Sequence, residues 1–299
     1  MTLGAQAWLT FPALGEDTLR QMRMAIDGSF RAFTRQYGDA LEHLFDPLRD
    51  FLLASEHLLT RSPWPLVMLG ILAVSWLASR SWKIVFWAGV ALCLVGWFGM
   101  WEDLMKTLSM IFVCTVVALV VGMPVGIGMS YSNRVQSTVN PVLDVMQTLP
   151  SFVYLIPVVM LLGIGRVPGL IAVVIYAIPP IIRFTNLGIR MVSADLMEAA
   201  DSFGAARWQK MLQVQLPLAL PTIMAGVNQT IMLALSMVVV ASMIGVQGLG
   251  QPVLRAITNQ YFAMGLFNGL AIVVIAILFD RVSQAYGKRL QKHLEVMHG

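Results

Sequence analysis

Seven stretches of 16 or more residues contain no Asp, Glu, Lys or Arg: residues 62–79, 84–101, 107–133, 145–165, 167–182, 211–254 and 256–279. A charge near the middle of a bilayer costs about 2.5–3.5 kcal/mol to insert, and a spanning helix needs about 20 mostly apolar residues. A chain interrupted in this way reads as an all-α membrane protein with about seven transmembrane helices. Composition agrees, since 58% of the residues are hydrophobic and only 12% are charged, against about 25% charged in a soluble chain. Mean hydropathy is +0.74. These figures exclude a disordered chain, a disulfide-built secreted scaffold and a cytosolic enzyme. Cys93 and Cys114 both sit inside apolar runs and give neither a disulfide framework nor a zinc pattern. The net charge of +4 reads as loop Lys and Arg rather than as a nucleic-acid surface.

The sixth run, 44 residues long, is the only one with room for two spans. It opens with Leu216-Pro217 and Pro221 and closes with Gly245, Gly248 and Gly250. That pattern predicts a break, one span near 220–244 and then a Gly-rich loop. The fifth run is short and is expected to extend past Arg183, whose long side chain can snorkel to the interface. With the C-terminus inside and seven spans counted back, 11 basic residues fall inside and 3 outside after the first span. That asymmetry predicts an N-terminus outside and a C-terminus in the cytoplasm. The first 62 residues carry eight acids against six arginines, a balance that can cross a membrane.

Residues 1–18 lack the basic start and apolar core of a signal peptide. From Leu19 the series Leu19, Met22, Ile26, Phe30, Phe33, Tyr37, Leu41, Leu44, Leu48 steps by three and four. This is one apolar stripe on an amphipathic helix, with Gly28 and Pro47 as weak points. Such a stripe lies on the bilayer or packs on a partner.

Few catalytic patterns survive inspection. Gly163-Ile164-Gly165-Arg166-Val167-Pro168-Gly169 lacks the Lys-Ser/Thr of a phosphate loop and reads as a turn between spans. Gly122, Gly126 and Gly128 suit close helix packing. The histidines (His43, His57, His293, His298) lie in the tails, so none places a metal ligand or base in the membrane. Asp144 is the only acid between Asp103 and Asp195, and Asp280 sits beside Arg281 at the end of the last span. A proton relay is therefore not expected, nor any catalytic or metal site in the chain.

The longest inner loop, 192–215, carries more information. Asp195 is placed to cap a helix, with Glu198 three residues on as its reciprocal partner. Leu196, Ala199, Ala200 and Phe203 form a small apolar face, and Gly204 suits the stop. A second short helical piece holding Trp208 and Met211 follows, ahead of Leu216-Pro217. An alanine-faced helix allows close approach of another surface, and Glu198 and Asp201 offer charge to basic partner residues. An amphipathic loop helix lying on the membrane has the same appearance.

Glu198-Ala199-Ala200, Gly204 and Leu216-Pro217 resemble the "EAA" motif of permease subunits in bacterial ABC importers. Further strings look like the permeases of glycine betaine/proline betaine importers. They include Asp144-Val145-Met146-Gln147-Thr148-Leu149-Pro150, Phe152-Val153-Tyr154-Leu155-Ile156-Pro157, Pro179-Pro180-Ile181-Ile182-Arg183 and 214–239. The similarity covers about residues 100–285; the first 60 match only in kind. It implies the type I importer permease fold and four divisions: an extracytoplasmic amphipathic segment (1–61), two accessory spans (62–101), a permease core (102–287) with a coupling helix near 195–210, and a basic cytoplasmic tail (288–299).

The resemblance also implies a bacterial inner membrane as the location and a set of partners. These are a second copy of the permease, two ATPase subunits that bind ATP and Mg, and a periplasmic substrate-binding protein. The chain itself would hold no cofactor and catalyse nothing. Asp195, Glu198, Ala199, Ala200, Asp201, Phe203, Gly204 and Trp208 would meet the ATPase. Gln147, Thr148, Tyr154, Asn228, Gln229, Ser236 and Met237 are candidates for the pathway, although interhelical packing accounts for each of them as well. Met232 and Met243 could line a gate or fill the core. The cargo would be glycine betaine, proline betaine or choline, as compatible solutes in osmoprotection or as nutrients. Permeases for trimethylamine N-oxide or histidine look similar. The rivals from other classes are an ion-coupled secondary carrier and a channel or scaffold component.

Overall fold

The computed structural model describes residues 14–296, apart from the side chains of Asp39 and of 290–296. The first 13 residues of the N-terminal segment, and Lys292, His293 and His298 of the basic tail, therefore lie outside what is described. Helix α1 (Glu16–Arg61) is a single helix of 46 residues that runs through both Gly28 and Pro47. The apolar stripe is exposed along its first half, at Met22, Ile26, Phe33, Tyr37 and Leu44. From Leu48 the helix enters the bundle: Leu52, Ser55 and Glu56 are buried, and this half packs on later helices.

After a bend of 112° come α2 (Trp64–Ser79) and α3 (Trp82–Trp97), sixteen residues each. They pair as a hairpin against the last helix. Arg80 makes the turn in the left-handed region, and its N–H donates to the Trp76 carbonyl. Each helix is about 24 Å long at 1.5 Å per residue, short of the ~30 Å hydrocarbon core.

The core follows. Helix α4 (Trp101–Tyr131) is followed by α5 (Asn133–Thr148) and α6 (Ser151–Leu162), which meet at 101° across Leu149-Pro150. Helices α7 (Arg166–Ala177) and α8 (Pro179–Arg190) form one continuous stretch, Arg166–Arg190. Next come α9 (Ala194–Ser202), α10 (Arg207–Gln209), a π-helical segment (Lys210–Gln215) and α11 (Leu216–Ala241). Helices α12 (Gly250–Asn259) and α13 (Phe262–Val296) complete the fold. All seven apolar runs fall on helices. Four helices are long and apolar enough to cross a membrane alone, and the two bent pairs bring the number to six. The seventh run is the short α3.

Two expectations need correction. No break separates the loop from the sixth span: the helix is continuous from Arg207 to Ile244. Pro217 lies in the first turn of α11, and the π segment before it lets the Leu216 N–H reach back to the Met211 carbonyl. This wider turn accommodates a residue that cannot donate. The other is the cap of α9, which is Ser193 rather than Asp195. Helix α8 carries the fifth run past Arg183 as expected, and the Arg183 guanidinium pairs with Asp144 of α5.

Helix α8 lies between α4 and α11. A Cβ on Gly122 would stand 2.5 Å from Ile181 Cγ2, and one on Gly126 would stand 2.7 Å from the Ile182 carbonyl oxygen. These two glycines of the three named let α4 close on α8; Gly128 meets nothing. On the other side Gly226 of α11 lies against Phe184. In a bilayer such close approach supplies the packing that hydrophobicity cannot.

Candidate functional site

The bundle has two distinct ends. At one end, α4 and α8 finish together: Arg190 donates from Nε to Asn186 Oδ1 at 2.9 Å and from a terminal nitrogen to the Met129 carbonyl at 2.8 Å. That contact satisfies a carbonyl in the last turn of α4, one of the groups a helix end leaves open. Helix α9 follows four residues after Arg190 and is rooted at this end.

Helix α9 begins at Ala194, with Ser193 rather than Asp195 in the capping position. Asp195 already has helical geometry, so its carboxylate serves the first turn through the helix dipole. Its C-terminal stop follows the expectation for Gly204. The Ala205 N–H donates to the Ala200 carbonyl at 3.1 Å and the Gly204 N–H to the Asp201 carbonyl at 2.9 Å. Gly204 itself is left-handed, at φ +72°. This is a Schellman stop, in which glycine carries no Cβ penalty. The next helix starts at once, with the Ala206 N–H donating to Gln209 Oε1 at 2.8 Å.

Asp201 already has a partner within the chain. It pairs with Lys210, a largely buried side chain on the π segment, and so braces α9 against the foot of the Arg207–Ile244 rod. Glu198 is exposed and makes no ion pair among the described residues. The small apolar face divides: Leu196 and Ala200 are half-buried, whereas Ala199 is exposed and Phe203 is 91% exposed. Trp208 and Leu212 are exposed beside it, and Met191 at the end of α8 adds to the apolar surface. The result is a short helix, fixed to two long helices, presenting Phe203, Trp208 and two carboxylates, Asp195 and Glu198, that make no ion pair among the described residues.

The pathway candidates separate into groups. Asn228 lies in a clasp between α11 and α13: its Nδ2 donates to Asp280 Oδ1 at 2.8 Å, and Ser283 donates to its Oδ1 at 2.7 Å. Tyr154 is buried, stacks edge-on with Tyr176 at 5.8 Å and donates its hydroxyl to the Met146 carbonyl. Met237 is fully buried. Gln147 and Thr148 are exposed at the end of α5. Gln229 and Ser236 are exposed and lie with Ala225 and Met232 along one stripe of α11 that continues to Met243 in the turn after it. Sequence reasoning missed Arg190, Lys210 and Arg166 as structural joints. A basic residue at a helix end is common, and its partners are far away in the chain.

Comparison with known proteins agrees with this architecture. Residues 118–292 match the family of binding-protein-dependent transport system inner membrane components. The glycine betaine/carnitine transport permease protein of Listeria monocytogenes is 45% identical over 268 residues, 88% of this chain and 90% of that one. The glycine betaine/proline betaine transport system permease protein of Escherichia coli is 47% identical over 242 residues, 81% of this chain and 68% of that one. Among solved structures, a chain from inward-facing conformations of the MetNI methionine ABC transporter matches with a TM-score of 0.56 at 21% identity. The match covers 62% of this chain and 93% of that one. The fold is thus the all-α type I importer permease fold expected from the motifs.

Proposed function

Since this chain belongs to the family of inner-membrane components of binding-protein-dependent transport systems, we propose that it is the membrane-spanning subunit of an ATP-driven importer for glycine betaine and related quaternary amines. The substrate class rests on the relatives, whose names specify glycine betaine, proline betaine and carnitine. The mechanism rests on one observation: α9 is exposed, stops sharply at Gly204 and is braced by Asp201–Lys210 on a rod 38 residues long.

Such a rod is roughly 55 Å long. A partner that grips Phe203, Trp208 and Glu198 can tilt it as one unit, because the helix runs from Arg207 to Ile244 without interruption. Two copies of the permease, each seated on a nucleotide-hydrolysing subunit, would have their α9 helices drawn together when ATP closes that pair. The cavity between the copies would then turn from one face of the membrane to the other. The α9 end is the cytoplasmic one in this reading, and the bundle end opposite it receives substrate from a binding protein. A permanent cation is attracted by aromatic faces, and the binding protein supplies those. Within the permease weak contacts suffice, because cargo must leave as easily as it enters.

The test is uptake by the reconstituted complex of permease, ATPase and binding protein. Labelled glycine betaine is expected to accumulate only with ATP. Proline betaine and carnitine should compete, with choline, trimethylamine N-oxide and histidine as further challengers. Uptake that collapses with an uncoupler while ATP stays high would replace this reading with a secondary carrier.

A further inference from the structure

At the bundle end opposite α9, four separate parts of the chain meet around Arg166. One terminal nitrogen of its guanidinium donates to Glu56 Oε2 of α1 at 2.7 Å, and the other donates to Gln247 Oε1 at 2.6 Å. Glu56 is only 8% exposed. Beside this pair the Gly165 N–H donates to the Ile244 carbonyl at 3.0 Å, and the Leu249 N–H donates to Thr107 Oγ1 of α4 at 2.9 Å. The contact is close: a Cβ on Gly169 would stand 2.0 Å from Val246 Cγ2, and one on Gly248 would stand 2.5 Å from Thr107 Oγ1. The loop 245–249 is the far end of the rod that starts beside α9.

We propose that Arg166 is a positioning residue that fixes the N-terminal helix to the far end of this rod, and that efficient coupling of ATP to uptake requires the joint to stay closed through the cycle. This builds on the importer reading above. The Glu56 side chain is mostly buried while the Arg166 guanidinium is about a third exposed, so separating them leaves a buried carboxylate without its partner. Glu42 and Asp46 line the cavity of about 420 Å³ next to Arg166 together with Leu52, Leu53 and Leu162, so an opened joint would leave Glu56 among other acids and apolar side chains. A tilt of the rod therefore carries α1, the α6–α7 turn and the 245–249 loop together. The N-terminal helix is then a moving part of the transporter rather than an appendage to it.

The test uses the whole complex in proteoliposomes. Spin labels are placed through Arg49→Cys and Ile164→Cys, exposed positions on the two walls of that cavity, in a background where Cys93 and Cys114 are replaced. The distance between them is expected to be the same with no nucleotide and with trapped ATP. A distance that changes between the two states overturns the proposal. Arg166→Ala is expected to lower substrate carried per ATP hydrolysed by about tenfold, within the usual range of coupling effects, and to raise ATPase activity without binding protein. The charge exchange Glu56→Arg with Arg166→Glu should recover much of that loss. Should Arg166→Ala fail to assemble, Gln247→Ala removes only the neutral arm and should give a smaller loss of the same kind. Variants that assemble and keep the unmutated transport-to-hydrolysis ratio also overturn the proposal. An unmutated complex whose ATPase ignores every betaine-loaded binding protein would instead remove the importer reading, and this one with it.

Discussion

Polar side chains inside an apolar bundle gain their meaning from what they touch. Asn228 was a candidate for the pathway because it is an amide in the middle of a span. Its contacts with Asp280 and Ser283 make it a clasp between α11 and α13, the interhelical role named as its alternative. Interhelical hydrogen bonds in membranes contribute about 0.6 kcal/mol on average and at most about 1.7. Asn228→Leu should therefore lower stability by about that much and more, since Asp280 loses a donor. The order in which substrates compete should not change. Denaturant unfolding in detergent, read beside uptake competition, checks both halves. A different residue-scale limit acts at Gly126, where the added side chain meets backbone rather than a flexible tip. Gly126→Val should destabilise by about 1–3 kcal/mol, the usual cost of overpacking, visible as a lower midpoint in the same unfolding experiment.

At the scale of the element, the coupling loop depends on one backbone conformation. Gly204 sits at φ +72° with nothing within 4 Å of a would-be Cβ. Space is not limiting there; handedness is. A residue other than glycine in that region costs about 1–2 kcal/mol, and less for asparagine, which adopts it readily. Gly204→Asn should retain uptake, whereas Gly204→Val should leave the complex assembled but cut transport, because α9 would lose its Schellman stop and its angle to the rod. Uptake and ATPase activity measured on the same purified complex test this. The stop was legible in the sequence because a glycine after a capped, apolar-faced helix has a local cause. The continuity of Arg207–Ile244 was not. Leu216-Pro217 carries the usual signal for a break, and nothing local reveals that a π turn will absorb it. The same holds for Asp201: its pairing with Lys210 requires the chain to fold back after Gly204, so sequence left it free for a partner. The seven apolar runs were read correctly as helices, since charge exclusion from a bilayer acts on each run alone. Bends of 112° and 101° depend on neighbours and were not visible.

On the scale of the whole molecule, the exposed polar groups decide which surfaces can face lipid. Gln229 and Ser236 lie on the exposed stripe of α11, within a span. Asp144, paired with Arg183, is exposed as well. Hydrocarbon is a poor neighbour for such groups, which in spanning helices face either water or other protein. Met232 and Met243, on the same stripe as Gln229, supply soft apolar contact of the kind that tolerates cargo of varied shape. That combination favours a water-filled cavity over a lipid-facing flank or a dry interface. The prediction follows in a background lacking Cys93 and Cys114. Gln229→Cys and Ser236→Cys should react with a small charged thiol reagent in the assembled importer, and their rates should change when nucleotide traps the complex. Met237→Cys, at a fully buried position on the same helix, should stay unreactive in both states and serves as the control. Equal, nucleotide-independent protection of all three positions would place the stripe against protein and move the pathway elsewhere, to the exposed end of α5 at Gln147 and Thr148. Reactivity that switches with nucleotide would tie the polar stripe to the motion proposed for α9.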